Sequence, residues 1–259
     1  MESNRKELDF GVFYTCFTEY EAVEYSLDLL YSIYPDVPVY LVSDGGSDYS
    51  DLSHKFSHAK FLLEYDSRGI VPKINDSNWL DPEMQNSMKD SIFTFLERIK
   101  RAIESNKKDY LLIMEPDVLV RGKLSLIDGA KLLGSRVNPY HWAKDRINEV
   151  FQRIPGSIAV SHYGATPAII EAKAFMRVYE YFTLNRSYID DFCRIDSNFA
   201  NYDILLTVLF SALGYEEIQN PDLTECLRNP NWRISEHPLL HQFREYYPKN
   251  NYTGRHQFN

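Results

Sequence analysis

The sequence predicts an α/β fold, a mostly parallel central sheet flanked by helices, and two observations carry that prediction. Residues 37–42 and 110–114 are apolar runs of strand length with almost no polar interruption. Continuous runs of this kind belong to parallel strands covered on both faces, whereas a half-exposed strand alternates. Around them lie segments with a helical repeat, 21–34 and 86–106. Strands alternating with helices imply right-handed crossovers that stack the helices on the sheet.

Taken in order, residues 8–17 read as a first strand, rich in aromatic and β-branched side chains, and 15–20 as the polar turn that closes it. Residues 21–34 place Val23, Leu27, Leu30 and Ile33 at helical spacing, and Pro35 and Pro38 end the helix. Residues 37–42 form the second strand, followed by the sharp turn Ser43-Asp44-Gly45-Gly46-Ser47-Asp48, and 59–64 form a third, shorter strand. Residues 66–86 read as a long loop with Pro72, Trp79 and Pro82, and loops of that length are commonly functional. In 86–106, Ile92, Phe95, Leu96, Ile99 and Ile103 share one helix face. The strand 110–114 then runs into Glu115-Pro116-Asp117, with 118–120 as its continuation after a proline break. The pattern weakens over 124–151. Residues 157–161 read as a strand, and Gly164 and Pro167 lead to a helix over 169–182. Residues 188–202 are ambiguous and acid-rich. An apolar helix over 203–213 is stopped by Gly214, a good residue for a left-handed cap. The segment after Pro221 reads as irregular. No repeat, low-complexity tract or linker divides the chain, so a single domain over 1–259 is expected.

Composition narrows the function classes. The chain has 259 residues, 44% hydrophobic and 14% aromatic, enough to fold without a disulfide framework. A net charge of −9 disfavours nucleic-acid binding, which wants a basic surface. The 19 tyrosines suit polar grooves, since a tyrosine ring packs while its hydroxyl bonds. The three cysteines, Cys16, Cys193 and Cys226, show neither metal-ligand nor disulfide spacing and read as reduced structural thiols. The first residues do not read as a signal peptide, and no run approaches a membrane span. A cytoplasmic location is expected.

In an open α/β sheet, ligands bind at the carboxyl ends of the strands. Three acid-bearing turns fall there: Asp44 after the second strand, Asp66 with Arg68 after the third, and Glu115 and Asp117 after the strand 110–114. If those strands are neighbours, the acids converge on one crevice. Carboxylates at strand ends are hard oxygen ligands that suit Mg²⁺ or Mn²⁺. Such an ion can bridge the phosphates of a nucleotide-sugar and neutralise a leaving diphosphate. A lone acid after a strand is equally what a solvated loop supplies. Two acids directly behind Tyr-Leu-Leu-Ile-Met are more pointed.

The order of these motifs resembles nucleotide-sugar glycosyltransferases of the A-type fold, which has a single Rossmann-like domain. The turn Leu41-Val42-Ser43-Asp44-Gly45-Gly46-Ser47-Asp48 is similar to their V-D-D-G-S-x-D turn, with Ser43 in place of the first acid. Glu115-Pro116-Asp117 resembles their D-x-D metal motif in an E-x-D variant. Tyr202-Asp203-Ile204-Leu205 running into Leu213-Gly214-Tyr215 resembles the E-D-x-x-L helix of family 2, with Tyr202 in place of the usual acid. The resemblance implies metal-dependent transfer of a sugar from a nucleotide-diphospho-sugar donor to a hydroxyl of a carbohydrate or glycoconjugate acceptor. It implies Mn²⁺ or Mg²⁺ on Asp117, with Glu115 at the ribose or, through water, at the metal. Thr15, Asp44, Arg68, Glu115 and Asp117 are then the donor-site residues. In inverting members of that family the aspartate at the position of Asp203 is the general base, so the resemblance gives Asp203 that role while leaving inversion or retention open; an aspartate there also serves as a helix N-cap. A late histidine, His241 or His237, is the further metal ligand, and His241 is favoured by its aromatic and basic neighbours. Arg121 is a candidate phosphate contact, and Gly164-Ala165-Thr166 a close approach under the donor sugar. On this view residues 8–123 are the nucleotide-binding half and 124–259 the acceptor-binding half and tail. The alternatives are a sugar nucleotidyltransferase, which usually opens with a glycine-rich loop absent from Phe13-Tyr14-Thr15-Cys16-Phe17, and a non-catalytic nucleotide-sugar-binding module of the same fold.

Overall fold

The computed structural model describes residues 6–66, 82–137, 144–160, 163–195, 202–226, 231 and 233–243. The first half runs β1 (Lys6–Glu7), β2 (Phe10–Cys16), α1 (Tyr20–Ile33), β3 (Val39–Ser43), α2 (Ser50–Lys55), β4 (Phe61–Tyr65), α3 (Pro82–Asn106) and β5 (Tyr110–Met114). Short strands β6 (Leu119–Val120) and β7 (Ser125–Leu126) follow, then β8 (Leu132–Val137), α4 (Lys144–Phe151), β9 (Tyr163–Glu171), α5 (Ala172–Leu184) and α6 (Ser187–Ile195). The described chain closes with α7 (Tyr202–Ala212), β10 (Glu217–Gln219), β11 (Leu223–Glu225) and β12 (Leu239–His241).

The central sheet has seven strands in the order β10-β8-β9-β5-β2-β3-β4. Strands β5, β2, β3 and β4 are mutually parallel, and in this sheet β9 alone runs opposite to its neighbours. The predicted α/β architecture is therefore what the chain forms. Alternate side chains of each strand point to opposite faces. Phe13, Val42 and Ile113 pack with α3, α5, α6 and α7 on one face. Val12, Tyr14, Leu41 and Leu112 pack with α1 on the other. A three-stranded sheet, β11-β12-β6, and the pair β1-β7 complete the described fold.

Three sequence expectations are corrected. Residues 157–160 form no strand; the sheet strand is β9, which begins at Tyr163 and takes in Gly164, Ala165 and Thr166. The helix expected from 169 starts at Ala172, because Ile169 and Ile170 lie between β5 and β8 and are better buried as strand residues. Pro167 has no N–H to give a ladder, and it falls where the β8–β9 register slips, Leu133 facing Ile169 and Ser135 facing Ala165. In the segment after Pro221, expected to be irregular, the described residues include two strands, β11 and β12, which pair in parallel. Gly214 does cap α7, with φ +78° and its N–H bonded to the Ser211 carbonyl at 3.0 Å. Among the described residues no helix is long and apolar enough to cross a membrane.

Candidate active site

The parallel registers bring the acid-bearing turns to one edge. Cys16 is level with Ser43, Ser43 with Tyr65, and Tyr14 with Met114. The loops that follow β2, β3 and β5, and Asp66 at the end of β4, therefore leave the sheet side by side. The first two are stitched together. The Asp44 N–H donates to the Cys16 carbonyl at 2.8 Å and the Ser47 N–H to the Phe17 carbonyl at 2.6 Å. Gly45 takes φ +71°. A side chain at Gly46 would place its Cβ 1.7 Å from the Phe17 carbonyl oxygen, so only glycine allows this approach.

At the β3–β4 end the acids are met by Arg98, which the sequence reading missed. Arg98 is fully buried on α3. Its Nη1 donates to Asp44 Oδ1 at 3.0 Å and its Nε to Asp66 Oδ2 at 3.1 Å. Arg101, one turn on, reaches Glu64 at 2.8 Å and Asp66 at 3.6 Å. Asp44, expected at the donor site, thus directs its carboxylate towards α3. Arg68 lies outside the described residues. Thr15 is half-buried in β2, level with Val42.

The β5 end is built differently. Glu115 is half-buried and Asp117 buried, in a turn closed by the Val118 N–H to the Glu115 carbonyl at 2.9 Å. Strand β12 comes back from the far end of the chain and pairs with β6, Leu240 with Leu119 and Leu239 with Val120. The Phe243 N–H donates to the Asp117 carbonyl at 3.0 Å. Arg121, a candidate phosphate contact, instead donates its Nε to the His237 carbonyl at 2.7 Å and its Nη2 to Ser235, tying down the approach to β12. The result is that His241 Nε2 stands 4.0 Å from Asp117 Oδ1. His237 faces elsewhere, with Nδ1 3.2 Å from the Pro221 carbonyl. Behind the pair, Tyr14 bonds Ser26 at 2.7 Å, and burial, with a contribution from Asp117, pushes its phenol well above the ordinary range.

Asp117 and His241 supply one carboxylate oxygen and one imidazole nitrogen, a donor set suited to Mn²⁺. With bonds of ~2.1 Å, two ligands of one small octahedral cation stand ~3 Å apart as neighbours and ~4.2 Å apart when opposed, so the pair at 4.0 Å lies within the span of a single ion. Among the described residues no three His, Cys, Asp or Glu side chains gather as a ready metal cluster. Asp203 is the second residue of α7, and its side chain lies outside the described part of the structure.

This architecture is the glycosyltransferase A-type fold. The chain is similar to an active-site mutant of LgtC at 13% identity, covering 90% of this chain and 86% of that one, with a TM-score of 0.53. It is equally similar to the galactosyltransferase LgtC in complex with donor and acceptor sugar analogs, at 12% identity, the same coverage and the same TM-score. At such identities the likeness shows the fold and does not single out family 2. No protein-family model matches the chain, and no curated protein matches it.

Proposed function

We propose that this chain transfers a sugar from a nucleotide-diphospho-sugar to an acceptor hydroxyl on a glycan or glycoconjugate. The observation that supports the reading most is the Asp117–His241 pair at the carboxyl end of β5, made by a strand from the opposite end of the chain. Ligands of open α/β sheets bind at that edge. LgtC, of the same fold, has been seen with both donor and acceptor sugar analogs. Asp117 and His241 would hold Mn²⁺ or Mg²⁺, which would supply Lewis acidity toward a leaving diphosphate, and Glu115, two residues before Asp117, would meet the ribose or, through water, the metal. Thr15, in the neighbouring strand, lines the donor side. Asp203 takes the acceptor proton as general base, which is the role the family 2 resemblance implies and which requires hydrogen-bond reach of the acceptor oxygen.

A second reading is a nucleotide-sugar-binding module without turnover. The engagement of Asp44 by Arg98 favours it, since that carboxylate, expected at the donor, is bonded to α3 instead. Release of nucleoside diphosphate from a panel of nucleotide-sugars, with and without Mn²⁺, separates the two. Transfer predicts slow release that a chelator abolishes and that Asp117→Ala loses. Nucleotide binding with no release points to the module.

A further inference from the structure

Gln242 lies directly after His241 and carries two unusual features. Its φ is +62°, a left-handed conformation that favours glycine. The cause is visible in its neighbours. The His241 carbonyl accepts the Cys226 N–H at 2.8 Å, and the Phe243 N–H donates to the Asp117 carbonyl at 3.0 Å. The chain is pinned on both sides of Gln242, and the residue between must take the strain. That clamp needs only backbone, so glycine would serve it. The side chain present is an amide, and its carbonyl oxygen Oε1 is buried without a hydrogen bond among the described residues. Buried polar atoms are almost always satisfied, and an atom that the protein leaves without a hydrogen bond calls for a partner such as a water or an ion. Strain held by an over-determined surround is likewise a pointer to function.

Asp117 and His241 provide two ligands, and no third His, Cys, Asp or Glu among the described residues joins them in a cluster. Side-chain amide oxygens are ordinary ligands for hard divalent cations. We propose that Gln242 Oε1 is a further protein ligand to the divalent cation held by Asp117 and His241. This rests on the cation reading above.

The test is calorimetric titration of Mn²⁺ into the full chain, with nucleoside diphosphate present. Gln242→Gly removes the oxygen and relieves the φ; Gln242→Met removes the oxygen and keeps the length; Gln242→Glu keeps an oxygen. The Gly and Met variants should bind Mn²⁺ roughly tenfold or more weakly, and the Glu variant at least as tightly as the parent. The melting temperature of Gln242→Gly should equal or exceed that of the parent, so the loss is not one of folding. Parental affinity in both Gly and Met variants, with affinity lost in Asp117→Ala, overturns the Gln242 role and leaves the cation reading standing. A parent that takes up no Mn²⁺ overturns both.

Discussion

The two ends of the sheet edge carry similar acids and use them in opposite ways. At the β3–β4 end, Asp44 and Asp66 are bridged by a guanidinium that the chain itself buries between them. At the β5 end, the group facing Asp117 is an imidazole at 4.0 Å. The first arrangement is a closed ion cluster that ties two strand ends to α3. The second is a carboxylate and a ligand-type nitrogen held at a spacing one small cation can bridge. What separates them is not the acids but what the rest of the chain brings to them, a buried arginine in one case and a returning C-terminal strand in the other.

Removing the internal cation has the largest expected effect. Arg98→Met removes the buried guanidinium that bridges the Asp44 and Asp66 carboxylates and should destabilise the fold by about 3–5 kcal/mol, read as a fall in the urea midpoint. Adding Asp44→Asn and Asp66→Asn should recover most of that loss. A near-neutral Arg98→Met would mean that the cluster is not the closed structural unit described. At the other end the expected loss is chemical. Asp117→Ala should cut Mn²⁺-dependent nucleoside diphosphate release by more than about a hundredfold, because it removes several kcal/mol of charge stabilisation at the leaving group. Its urea midpoint should move far less than that of Arg98→Met.

Two histidines sharpen the account further. His241→Ala should weaken Mn²⁺ binding by roughly ten- to a hundredfold, while His237→Ala, whose ring faces the Pro221 carbonyl, should stay within about twofold of the parent. Equal losses from both would contradict the separate placements. The smallest effect belongs to the helical layer that carries Arg98. Cys193 packs in the same cluster as α3, and burial pushes its thiol from an ordinary 9.0 up to about 12. A folded-state pKa raised above the unfolded one contributes stability that is full below about pH 9 and lost as pH climbs toward 12. Stability should therefore decline between pH 9 and 10.5, and Cys193→Ala should make that decline shallower in urea titrations.

The parallel half of the sheet was legible because its strands are unbroken apolar runs and its helices keep a clear period. The antiparallel half was not. Strand β8 is interrupted by Gly134 and Arg136, and β9 hides Gly164 and Pro167 inside what reads as a strand-to-helix turn. Short strands such as β11 and β12 have too few residues to show a period, and only pairing reveals them. At the candidate site, Asp117 and His241 were both readable as residue types at suitable places. The Arg98 bridge was not, because an arginine on an amphipathic helix reads as solvated. Its one signal was position: it adjoins the apolar stripe of the crossover helix that follows the two strands whose ends carry the acids. The spending of Arg121 on the carbonyls of Ser235 and His237 had no local signal, since it depends on where the chain returns.

The central claim is that the Asp117 end takes a divalent cation from solution while the Arg98 end does not. Mn²⁺ binding measured by electron paramagnetic resonance on the parent, on Asp117→Ala and on the Asp44→Asn/Asp66→Asn/Arg98→Met triple variant addresses it directly. The account predicts one nucleotide-dependent Mn²⁺ site that Asp117→Ala loses and the triple variant keeps. Retention of that site in Asp117→Ala, with its loss in the triple variant, would contradict it.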